Sequence, residues 1–207
     1  MPKLKYFIAL LPCLMFGSAH AESSYGYSAA GTASVSAQAR LEINVNVPLL
    51  VLLRVGSSGS TIDTLLIRSS LTIPGSTGAL TDGDNQVRSW NGNPPGVSLN
   101  AAAQRRVRAY AWTNASGGGR LSRVSAFEAS PNPPAGLTLN MVRANTGSLG
   151  GCVLRHPGTN LAATTTQTFA RNSLCSANWT FSITAANLRT LGAGETLIKS
   201  TYTATTL

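Results

Sequence analysis

The stretch Ser34-Val35-Ser36-Ala37-Gln38-Ala39-Arg40-Leu41-Glu42-Ile43-Asn44-Val45-Asn46-Val47 alternates polar and apolar residues without a break for fourteen positions. A period of two sends successive side chains to opposite faces of an extended chain, so one face is apolar and the other wet. Ordinary strands run about five or six residues. A run of this length implies two consecutive functional segments, or one strand that bridges two bodies.

Working outward toward the C-terminus, Pro48 interrupts the alternation. Leu49–Leu53 is continuously apolar, as in a strand buried on both faces. Gly56–Ser60 reads as a turn, Thr61–Ile73 as a second strand region and Pro74–Pro95 as a long loop. Val97–Leu99, Arg106–Thr113 and Leu121–Phe127 read as strands, with Gly117-Gly118-Gly119 turning the chain between the last two. In Arg106–Thr113, Val107, Ala109 and Ala111 share one face; Arg106, Arg108, Tyr110 and Trp112 share the other. Leu137, Leu139 and Met141 alternate, as do Trp179, Phe181 and Ile183. Ala163–Ala170 is extended, Ala185–Leu191 is the one helical candidate, and Thr196–Thr205 closes the chain with Ile198, Tyr202 and Ala204 on one parity. Seven to nine short strands separated by Gly, Pro and Asn turns specify an all-β sandwich or barrel in one domain.

Toward the N-terminus, Lys3 and Lys5 precede an apolar run, Tyr6–Phe16, and Ala19-His20-Ala21 has the small-x-small pattern of a signal-peptidase site. Residues 1–21 are therefore expected to be a secretory signal peptide, which sends the chain to an oxidising compartment. Without Lys3 and Lys5 the 16 cations fall to 14 against 7 acids, a formal charge of +7, and 13 of those 14 are Arg. Such a balance keeps the protein soluble and would favour anionic glycan or lipopolysaccharide over nucleic acid. Cys152 and Cys175 are the two cysteines remaining, and an even count in that compartment implies one disulfide. Metal binding lacks partners, because His156 is the sole remaining histidine and no Cys-x-x-Cys occurs.

Chemistry-bearing patterns are sparse. His156 stands beside Pro157 with no matching nucleophile motif, and the seven acids are scattered. Asp82-Gly83-Asp84-Asn85 has calcium-loop oxygens without the closing Glu, and reads as a solvated turn. Asn114-Ala115-Ser116 and Asn178-Trp179-Thr180 match the short glycosylation triplet. Arg105, Arg106, Arg108, Arg120 and Arg123 would lie on one sheet as a solvated face or a polyanion patch. No enzyme activity and no cofactor are expected.

Taken together, the polar lead Glu22–Thr32, the alternating strand Ala33–Val47 and the closing Gly192-Ala193-Gly194-Glu195-Thr196-Leu197-Ile198-Lys199-Ser200-Thr201-Tyr202-Thr203-Ala204-Thr205 resemble a subunit of chaperone–usher fimbriae, in a divergent branch. The resemblance covers the two ends of the chain. It implies an immunoglobulin-like, pilin-type β-sandwich that lacks one strand and is completed by a donated one. Residues 22–39 would be the donor extension, with Ala33, Val35, Ala37 and Ala39 as its knobs, and 40–207 the pilin-like domain. Leu41, Ile43, Val45 and Val47 would open that domain's own first strand. Ile198, Tyr202 and Ala204 would face the acceptor groove. The implied partners are other fimbrial subunits, a periplasmic chaperone and an outer-membrane usher. The implied destination is a cell-surface fimbria supporting adhesion, reached through the periplasm. Three other readings compete. An eight-stranded outer-membrane barrel suits the length but lacks aromatic girdles. A secreted carbohydrate-binding or hydrolytic sandwich would stack host or surface glycans on Trp90, Trp112, Tyr110 and Tyr25. A tip adhesin would need a further receptor-binding domain.

Overall fold

A computed structural model describes residues 23–31, 34–129 and 131–207. The expected signal peptide, residues 1–21, and the expected donor knob Ala33 lie outside the described residues. The chain divides into two units, Met1–Val47 and Pro48–Leu207.

The described part of the first unit contains neither strand nor helix. Its chain turns at residues 29–31, and the Ser24 hydroxyl donates to the Gln38 carbonyl while accepting from the Gln38 N–H at 2.8 Å. The alternating stretch therefore differs from the strand its pattern implies. A strand exists only as part of a ladder, and no ladder partner is present among the described residues. Leu41, Ile43, Val45 and Val47 are 63–77% exposed, so the apolar parity is unused.

The second unit is all-β and antiparallel. Strands β1 (Val51–Val55), β4 (Arg106–Thr113), β8 (Cys175–Ser182) and β6 (Arg143–Ser148) form a sheet in the order β1-β4-β8-β6. Strands β7 (Gln167–Phe169), β5 (Gly119–Phe127) and β9 (Ile198–Thr206) form a second sheet in the order β7-β5-β9. Strands β2 (Ser69–Thr72) and β3 (Gly96–Leu99) make a separate ribbon, and α1 (Ala185–Leu188) is a single turn capped by the Thr184 hydroxyl.

The two larger sheets share one core. From β4 come Val107, Ala109 and Ala111; from β8, Cys175, Ala177, Trp179 and Phe181; from β5 and β7, Leu121 and Phe169. Small residues on β4 and β8 leave the volume that the fully buried Trp179 fills, as close packing of an interior requires. The chain passes from one sheet to the other through Gly117-Gly118-Gly119. Gly118 sits at φ +81°, open to glycine, and a Cβ on Gly119 would stand 2.1 Å from the Phe169 ring.

Several elements depart from their sequence pattern. The first strand of the sheet begins at Val51, rather than in Leu41–Val47, and Leu49–Leu53 is not buried on both faces. Val51, Leu53 and Val55 are half-buried while Leu49, Leu50 and Leu52 are exposed, because β1 is an edge strand. Thr61–Ile73 forms a strand only at its end, although Leu65 and Ile67 pack on the core. Leu137, Leu139 and Met141 also pack on the core, from a loop and a 3-10 turn. Strand β6 gave no sequence signal: as an edge strand it buries only Ala144, so Arg143–Ser148 has no alternation to read.

Candidate functional site

Strands β1 and β9 are edges of the two sheets and lie beside each other along one flank. Each is laddered on one side only, β1 to β4 and β9 to β5 over its whole length from Ile198 to Thr206. An antiparallel strand directs half of its backbone N–H and C=O groups away from its partner. Along β9 that outer row forms no hydrogen bond among the described residues. Side chains give the flank an apolar floor. Ile198, Tyr202 and Ala204 on β9, and Val51, Leu53 and Val55 on β1, touch the core yet stay only half-buried. The structure thus brings together the three residues expected on the closing strand. Val35, Ala37 and Ala39, from the other unit, are exposed.

Tyr202 is fixed from behind by a buried polar cluster that the sequence concealed. His156 is 4% exposed. Its Nδ1 lies 2.7 Å from the Gly158 carbonyl oxygen and its Nε2 lies 3.0 Å from the Tyr202 hydroxyl. A carbonyl only accepts, so Nδ1 carries the proton and Nε2 accepts from Tyr202. The imidazole meets Trp179, Phe181 and Tyr202 edge-on at 5.0, 5.5 and 5.7 Å between ring centres. Burial pushes its pKa down to about 4, the Gly158 carbonyl opposes that shift, and the nearby Arg123 charge adds to it. Burial also raises the Tyr202 pKa well above its usual value.

Arg123 completes the cluster. Its guanidinium donates to four carbonyls, those of Pro157 (3.4 Å), Leu161 (2.9 Å), Asn160 (3.0 Å) and Ala163 (2.6 Å), and to the Ser125 hydroxyl. At 4% exposure it belongs to no surface patch, contrary to its grouping with the neighbouring arginines. Arg105 is likewise committed, to the carbonyls of Asn100 and Phe181. The loop that Arg123 holds is further stitched by the Cys152–Cys175 disulfide, by Trp179 Nε1 donating to Leu154, and by the His156 N–H donating to Thr146. The disulfide joins the two cysteines singled out in the sequence, with Cα atoms 4.4 Å apart.

Other singled-out residues have local roles. Asn114 holds the entry to β1, accepting from the Leu50 N–H at 2.8 Å and donating to the Pro48 carbonyl at 2.7 Å. Trp90 lies exposed beside a shallow 250 Å³ depression with Ile73, Pro74 and Arg88, and donates to the Asn93 carbonyl. Chemically, the β1–β9 flank offers backbone donors, backbone acceptors and alternating apolar contacts. That is what an added extended segment requires. No family model, curated protein or solved structure matches this chain.

Proposed function

We propose that this protein is a structural subunit of a surface fimbria, exported through the periplasm and polymerised by strand donation between copies or related subunits. A periplasmic chaperone and an outer-membrane usher are its assembly partners, and it has no catalytic role. The observation that carries this reading is the bare outer edge of β9 over a half-buried apolar row. The strand orders support it. β1-β4-β8-β6 is compatible with the order A-B-E-D that an immunoglobulin-like sandwich would have, and β5-β9 with C-F; β7 flanks β5 on its other side, and no strand pairs with the outer edge of β9, where G would lie, among the described residues. The N-terminal unit supports it too, since its alternating segment is in no strand ladder among the described residues and is exposed on its apolar parity. The knobs expected at Val35, Ala37 and Ala39 continue in register through Leu41, Ile43, Val45 and Val47.

The experiment compares fibre yield by electron microscopy for charges placed on the two parities. Val35→Asp and Ile43→Asp would put a carboxylate into the acceptor, where an unpaired buried charge costs several kcal/mol. Fibres should be lost while the subunit still folds. Ser36→Asp and Asn44→Asp, one residue along and on the wet face, should assemble normally. Equal yields from both parities would remove the segment as donor.

A further inference from the structure

The outward face of the β1-β4-β8-β6 sheet carries charge of one sign. Its four strands contain Arg54, Arg106, Arg108 and Arg143, and no Asp or Glu. All four arginines point outward. Register places Arg106 opposite Thr180, Arg108 opposite Asn178, Arg54 opposite Tyr110 and Arg143 opposite Ser182, away from the buried row Val107, Ala109, Ala177 and Phe181. Their guanidinium groups are also uncommitted, as are those of several other exposed arginines such as Arg120, Arg171 and Arg189. Arg88, Arg105 and Arg123 are tied to carbonyl oxygens, whereas Arg54, Arg106, Arg108 and Arg143 have no hydrogen-bond or ion-pair partner among the described residues. Between them lie small polar side chains, Ser176, Asn178, Thr180 and Asn145, and at one end Trp112 stands beside the exposed Leu52.

We propose that this face binds an acidic polysaccharide, with the arginines taking carboxylate or sulfate groups and Trp112 receiving the apolar face of a sugar ring. Guanidinium groups pair with such anions through two parallel hydrogen bonds, and those of Arg106 and Arg108 rise from backbone positions about 7 Å apart on one strand, so they meet a chain of charges rather than one ion. Asn178, Thr180 and Ser176 supply short donors and acceptors for sugar hydroxyls. Single-stranded nucleic acid fits less well. It stacks successive bases on open rings, and the Tyr110 ring is already covered by the Arg54 guanidinium at 4.1 Å, leaving Trp112 alone. A lipid surface fits less well too, because the middle of the face is polar and offers nothing to insert. The site belongs to the sheet itself and does not depend on the assembly reading above.

The test measures binding of the purified protein to immobilised heparin, with dextran, an oligothymidylate and phosphatidylglycerol vesicles as comparators. Heparin should bind, dextran should not, and affinity should fall as salt rises. The triple variant Arg106→Gln, Arg108→Gln, Arg143→Gln should lose about tenfold in affinity, the sum of three exposed charge contacts, and its salt dependence should flatten. Trp112→Ala should weaken heparin binding without changing the salt slope. Arg120→Gln, Arg171→Gln, Arg189→Gln removes the same charge elsewhere on the surface and should stay within about twofold. All six positions are exposed, so the folded state is not at issue. Equal losses from the two triple variants would overturn the proposal, since net charge alone would then explain binding. So would absent heparin binding, or tighter binding of oligothymidylate or vesicles through the same arginines.

Discussion

At the scale of single residues, His156 couples stability to pH. Its folded pKa is near 4, against an ordinary 6.5, so between those values the unfolded chain binds a proton that the folded one refuses. The contribution is fully present above about pH 6.5 and is lost as pH falls toward about 4, amounting to ~3 kcal/mol. Denaturant titrations at pH 7 and pH 4 should show that loss, and His156→Gln should flatten it. Tyr202→Phe would leave Nε2 without its donor in a buried site, at a cost of about 1–3 kcal/mol. Arg123→Lys is not conservative, because an ammonium has three donors where five oxygens wait. We expect it to destabilise by about 3 kcal/mol in the same titration. None of these roles was legible in the sequence. A histidine without a motif and an arginine among arginines look alike whether exposed or buried. Only the placement of carbonyl oxygens by the loop from Pro157 to Ala163 separates them.

At the scale of elements, legibility followed the number of faces a strand buries. β4 and β8 bury one full row each and β5 the first half of one; the patterns located β4 to the residue and β5 to within two, while the alternation of Trp179, Phe181 and Ile183 marked only the second half of β8. β6 buries one side chain and was invisible. The apolar run at β1 promised more burial than an edge strand obtains. The closing strand was readable with its parity, and its bare side was not, because a missing ladder leaves no trace in side-chain periodicity. The Cys152–Cys175 bond secures the loop behind β8 across a separation of 23 residues. Changing both to Ser should cost about 2–5 kcal/mol, read as a lowered melting temperature, and should loosen the loop that carries His156 before β5 or β9 separates.

At the scale of the whole molecule, a folded unit with an open flank is joined to a segment whose Leu41, Ile43, Val45 and Val47 stay exposed. Isolated protein should therefore capture a synthetic peptide spanning Leu41–Val47, and the captured state should melt higher than the free one, as any ligand specific to the folded form requires. A peptide with Ile43→Asp should give no shift. The Arg123 anchorage has one more consequence. The guanidinium grips the loop from Pro157 to Ala163 entirely by main-chain oxygens, a feature every amino acid supplies. Outward side chains there, such as Thr159 and Ala162, are free to drift without loosening the grip. Inheritance is thus constrained at Arg123 in β5 and at the loop's buried or turn-forming Pro157, Gly158, Asn160 and Leu161, and relaxed at Thr159 and Ala162, two points where the surface of this protein can vary its appearance while the body beneath stays the same.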